Sequence, residues 1–129
     1  MESPFKGKTG LTRLWNALHY SLTGLADAYR LEDAFRQEVL LALILLPVSF
    51  ALRIWLHLSG AEHALLIASV LLVLIVELLN SAVEATVDRV GLELHKLSKR
   101  AKDIGSAAVL ITLLNVLAVW ACILIGKLP

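Results

Sequence analysis

Cysteine occurs once in the 129 residues, at Cys122, so neither an intrachain disulfide framework nor a multi-cysteine metal site is available. Charge is also scarce. Charged residues make up 18% of the chain against 58% hydrophobic, with a mean hydropathy of +0.77. Soluble domains carry about 25% charged residues, so the balance is that of an integral membrane protein. The net charge of +1 gives no signal for nucleic acid. No glycine-rich phosphate loop is present, neither GxxxxGK followed by Ser or Thr nor GxGxxG, which excludes a P-loop and a protein-kinase loop. The opening MESPFKGKTG has no apolar core and no small-residue cleavage site, so no signal peptide is expected. Internal repeats and low-complexity tracts are absent.

What is present divides into one polar and three apolar helical segments. Residues 1–10, with Pro4, Gly7 and Gly10, read as a flexible tail, and Thr9 or Thr12 is placed to cap the first helix. In 11–30 apolar residues recur at 11, 14, 15, 18, 22, 25 and 29, the spacing of one helical face. The other face carries Arg13, Asn16, His19, Thr23 and Asp27. This segment is too polar to span and is expected to lie on the membrane surface, with Trp15 and Tyr20 at headgroup level. Three spans are expected over 34–58, 64–90 and 103–126, given that about 20 apolar residues cross a bilayer. Pro47 should kink the first, or be tolerated because neighbouring helices satisfy the freed carbonyl. Segment 1–36 holds five basic residues, and the loop 89–102 holds Arg89, Lys96, Lys99, Arg100 and Lys102. Arg53 and Lys127 are the counterparts on the other side. Positive charge stays in the cytoplasm, which puts the N-terminus inside and the C-terminus outside.

The second span contains the anomaly. In VELLNSAVEATVDRVG, residues 76–91, three acids and an amide interrupt an apolar helix. With Glu77 at 0°, Asn80 falls at about 300°, Glu84 at about 340° and Asp88 at about 20°, a stripe about 16 Å long. A charge near the bilayer centre costs at least about 2.5 kcal/mol, and such residues face a bundle interior or a wet cavity. One reading is a hydrogen-bonded network that holds helices together. The other is a site. Several acids on one stripe repel one another and call for a cation, and carboxylate oxygens suit Mg²⁺, which takes one or two carboxylates plus substrate phosphates. The basic loop beside the stripe is placed to receive phosphates. The set suggests phosphoryl transfer to a lipid hydroxyl, where positioning and electrostatics carry the reaction. Glu77, the deepest acid, suits the general base. A small proton-coupled transporter also uses an intramembrane acid, but usually has four spans and a single acid.

VELLNSAVEATVDRVG, followed by LHKLSKRAKDIGSAAVL, closely resembles the prokaryotic diacylglycerol kinase family, and EDAFRQE at 32–38 resembles its first conserved box. The resemblance runs from about Leu11 to Gly126. It implies an all-α inner-membrane enzyme, an amphipathic surface helix plus three transmembrane helices, assembled as a homotrimer with composite sites. It implies transfer of the γ-phosphate of ATP, with Mg²⁺, to the hydroxyl of diacylglycerol, giving phosphatidic acid. Some members take undecaprenol instead. By the same resemblance Glu77 is the catalytic base, and Glu32 and Glu84 bind the metal. ATP contacts fall to Arg13, Tyr20, Glu32, Glu84, Asp88, Glu93, His95, Lys102 and Asp103. Ser21, Glu38, Glu77, Asn80 and Ser106 lie by the lipid substrate. The chain departs from some members at Leu22, where they have tryptophan, at His63, where they have another basic residue, and in a longer loop over 53–63.

Overall fold

The computed structural model describes residues 10–91 and 95–129. Among the described residues there are four helices and no strand. Helix α1 is Leu11–Leu31, α2 Asp33–Trp55, α3 Gly60–Val90 and α4 Lys96–Ile125. The last three are long and apolar enough to cross a membrane. Helix α3 is the centre of the bundle. It packs most extensively on α4, then on α2, while α1 contacts α2 over a smaller surface.

The helix ends arise from local chemistry. Gly10, at φ 73°, is the N-cap of α1, and no side chain caps it, so Thr12 lies inside the first turn instead. Thr9 lies outside the described residues. Helix α2 continues through Pro47. Helix α3 begins at Gly60 because Ser59 and Glu62 form a capping box. The Glu62 amide donates to Ser59 Oγ at 3.2 Å, and the Ser59 amide donates to Glu62 Oε2 at 2.7 Å. Helix α4 begins at Lys96, capped by His95, whose Nδ1 accepts from the Leu97 amide at 3.1 Å. Hydropathy starts the third span at 103, whereas the backbone is already helical at Lys96. Lys102 and Asp103 lie inside the helix, away from its N-terminus.

The buried seam of α3 runs through Leu66, Ser69, Val70, Val73, Glu77 and Asn80. These positions keep the three- and four-residue steps of one helical face. From α2 the seam meets Phe35 and Ala42, and from α4 Thr112 and Val116. The apolar core and the carboxylate stripe therefore belong to one continuous face. At the far end of α3, His63 is buried at 3% exposure between three groups of α2. Arg53 Nη1 lies 3.1 Å from its Nδ1, Ser49 Oγ lies 3.3 Å from its Nε2, and the Phe50 ring packs edge-on at 4.6 Å between centroids. Arginine is donor-only, so His63 Nδ1 accepts, and Nε2–H donates to Ser49 Oγ. Ser49 donates its own proton to the Leu46 carbonyl at 2.7 Å. Spacing along the chain puts His63 in a polar turn; it is a core residue that joins α2 to α3.

Candidate active site

Because the stripe continues the core seam, its upper residues are withdrawn from lipid. Glu77 is 4% exposed and Asn80 8%. One turn on, Asn80 Nδ2 donates to Glu84 Oε1 at 3.1 Å, which fixes both side chains along α3. The other end of the amide meets α4. Asn80 Oδ1 is buried without a hydrogen-bond partner and lies against Gly105, where a Cβ would overlap it and come within 3.2 Å of Asn80 Cγ. Gly105 is thus the position that lets α4 close on the stripe. The GSAA patch at 105–108 is legible as small residues, but a linear sequence does not say which of them faces Asn80.

Two further carboxylates come from outside α3, Glu38 and Glu32. Glu38 comes from α2, and its Oε2 is buried without a partner. Glu32 is the single extended residue between α1 and α2, at φ −110° and ψ 112°. A half-exposed ion pair stands at the open end of the stripe. Asp88 Oδ1 pairs with Lys102 Nζ at 2.6 Å, tying the last turns of α3 to the second turn of α4. Beside the stripe lies a cleft of about 590 Å³ between α1 and α3, walled by Ser21, Leu25, Asp27 and Glu32 on one side and Leu78 and Ser81 on the other.

Of the residues singled out from sequence, the fold lines up Glu77, Asn80 and Glu84 on α3, pairs Asp88 with Lys102 at the margin, packs Glu38 of α2 beside Val70 and Val73 of the same seam, and sets Glu32 in the neighbouring α1/α3 cleft. It places the others elsewhere. Arg13 and Tyr20 are exposed on α1, and no hydrogen bond or ion pair among the described residues joins them to the stripe. Ser21 is exposed at the cleft, its hydroxyl donating to the Ala17 carbonyl at 2.9 Å. His95 caps α4. Asp103 pairs with Lys99 at 2.6 Å, and Ser106 is exposed. Glu93 lies outside the described residues.

The donor set is one of hard oxygen atoms. Among the described residues no three His, Cys, Asp or Glu side chains converge to form a complete metal cage. Carboxylate oxygens suit Mg²⁺, which commonly takes one or two of them and fills its octahedron with water and phosphate oxygens. Glu84, oriented by Asn80, and Glu32, at the α1–α2 elbow, are the carboxylates that could hold such an ion.

The comparisons with known proteins agree with one another. The profile described as "Prokaryotic diacylglycerol kinase" matches residues 19–124. A Pseudomonas aeruginosa protein named diacylglycerol kinase is 59% identical over 124 residues, covering 96% of this chain and 98% of its own. A Haemophilus influenzae protein of the same name is 54% identical over 116 residues, covering 90% and 95%. One from Escherichia coli K12 is 50% identical over 117 residues, covering 91% and 92%. The family match takes in the second half of α1, all of α2 and α3 with the whole stripe, and α4 to its last turn, and on that footing the chain belongs to the prokaryotic diacylglycerol kinase family.

Proposed function

We propose that the protein is an ATP-dependent diacylglycerol kinase of the bacterial inner membrane, working as a homotrimer with composite sites. The observation that carries this reading is the Glu77–Asn80–Glu84 line, buried at Glu77 and Asn80 and half-buried at Glu84, which runs to the Asp88–Lys102 pair in a chain of this family. Helix α1 lies along the cytoplasmic surface, the N-terminus inside and the C-terminus outside. Its polar positions Arg13 and Tyr20, together with Asp88, Glu93, His95, Lys102 and Asp103, hold the nucleotide. Glu84 and Glu32 would hold Mg²⁺, which would supply charge neutralisation on the phosphates. The α1/α3 cleft, with Ser21, admits the lipid, and Glu38, Asn80 and Ser106 lie by its headgroup.

Chemically, the chain's task is to deliver a hydroxyl and remove its proton. Glu77 is the deepest acid of the stripe and is buried beside Leu78, which walls the cleft, so it is the carboxylate assigned to the lipid hydroxyl. Its carboxylate takes the hydroxyl proton as the oxygen bonds to the γ-phosphorus. The bond from the γ-phosphorus to the bridging oxygen breaks, and ADP leaves with that electron pair. Exclusion of water by the α3/α4 contact keeps the phosphoryl group for the lipid.

The test is phosphorylation in lipid bilayers with Mg²⁺ and γ-labelled ATP, offering diacylglycerol and undecaprenol in parallel. Label in phosphatidic acid is expected, reduced by about 10²-fold or more in Glu77→Gln, the loss typical of a general base. Glu84→Gln should lose activity as well. Label only in undecaprenyl phosphate would keep the chemistry and change the acceptor. No label in either lipid from folded protein would overturn the kinase.

A further inference from the structure

We infer that Arg36 is a positioning residue, a clamp across the α1–α2 elbow that holds Glu32 in register with the stripe; this rests on the proposed metal role of Glu32. The last carbonyls of a helix have no partner within it. At the end of α1 the Glu32 amide takes the Ala28 carbonyl at 2.9 Å. The next two carbonyls are both satisfied from α2. Arg36 Nη1 donates to Tyr29 O at 3.1 Å and to Arg30 O at 2.9 Å. Its Nη2 pairs with Asp33, one turn back on α2. The Arg36 amide also donates to the Glu32 carbonyl at 3.2 Å. One guanidinium thus straddles the single extended residue of the elbow, and a change in the angle between α1 and α2 would fall first on Glu32.

The residue type suits this task. A guanidinium presents several donors in a rigid fork, stays charged at every working pH, and complements the negative end of a helix. A lysine ammonium is a point charge and cannot reproduce that fork. From sequence, Arg36 counts only as one more cytoplasmic positive charge. That alternative makes a different prediction, because Arg36→Lys preserves the charge and loses the clamp.

The experiment uses the full chain in bilayers. Arg36→Lys is expected to lower kcat/KM for MgATP by about tenfold or more, since small misplacements in a site cost that much. In a Glu32→Gln background the same change should cost less than about twofold, because the two residues act as one unit. A second readout is the distance between spin labels at Thr23→Cys on α1 and Thr86→Cys on α3, in a Cys122→Ser background. Its distribution should broaden in Arg36→Lys while helix content is retained. Wild-type kinetics in Arg36→Lys, additive losses in the double variant, or an unchanged distance distribution would each overturn the clamp. If Glu32→Gln alone were fully active, the metal role of Glu32 would fail, and the spin-label distance would still decide the clamp.

Discussion

Replacing Gly105 with alanine adds one methyl group where α4 meets the stripe, and the structure says where that methyl goes. It overlaps Asn80 Oδ1 and comes within 3.2 Å of Cγ. Asn80 is the flexible partner, so the amide must turn, and turning breaks its 3.1 Å bond to Glu84. A hydrogen bond to a charged group contributes about 1.5–3 kcal/mol. Against this, alanine is favoured over glycine inside a helix by about 1 kcal/mol. The net destabilisation should be about 0.5–2 kcal/mol, and activity should fall about tenfold for each 1.4 kcal/mol lost at the transition state. The sharper test is a change of sign. With Asn80→Ala in the background the obstacle is gone, and Gly105→Ala should then stabilise the protein by up to about 1 kcal/mol. Reversible unfolding in mixed detergent measures both backgrounds. If Gly105→Ala costs the same with and without Asn80, the close approach is not what the glycine is for.

The Lys102–Asp88 pair is half-exposed, so Lys102→Met should change stability by no more than about 1 kcal/mol; its effect should appear as a raised KM for MgATP, read by steady-state kinetics. His63 lies fourteen residues from Glu77 along α3, about 21 Å. His63→Ala should therefore lower thermal stability by about 1–3 kcal/mol, by stranding Ser49 and Arg53, and leave KM for both substrates unchanged in protein that remains folded. A shift in KM for either substrate would show that the two ends of the helix are coupled.

The sequence makes the three spans and the stripe legible because both signals are local. Hydropathy marks where lipid begins, and a 100° step places Glu77, Asn80, Glu84 and Asp88 on one side without any knowledge of neighbours. The same reasoning misplaces α4. Its first turns, KLSKRAKD, are polar, so hydropathy starts the span at 103 while the backbone is already helical at Lys96. Helices begin where they are capped, and His95 gives little warning because histidine is an uncommon cap. The start of α3 does carry a local signal that hydropathy passes over: Ser59 and Glu62 have the capping-box spacing. Tertiary partners are the other loss. Neither Gly105 against Asn80, nor His63 between Arg53 and Ser49, nor Arg36 on the carbonyls of α1 can be read from spacing along the chain.

The distribution of the remaining polar residues bears on the proposed trimer. Glu77, Asn80 and Glu84 share one face of one helix, and Glu38 and Glu32 of the same chain pack beside that helix. Asp103 and Ser106 do not join them. Asp103 pairs with Lys99, and Ser106 is exposed on α4. Little of the apolar helices is buried within one chain: 11% of the most apolar window of α2, 28% of α3 and 17% of α4. A second and third copy would cover those faces and bring a neighbour's α4 within reach of the stripe. Subunits inactivated by Glu77→Gln, mixed during reconstitution with subunits inactivated by Asp103→Ala, should then regain phosphatidic acid synthesis, because some mixed sites draw both intact residues from different chains. Glu77→Gln mixed with Glu84→Gln should regain nothing, because those two carboxylates serve a site from the same helix. Recovery in the second mixture, or none in the first from two variants each shown to be inactive and assembled, would refute this division of the site between subunits.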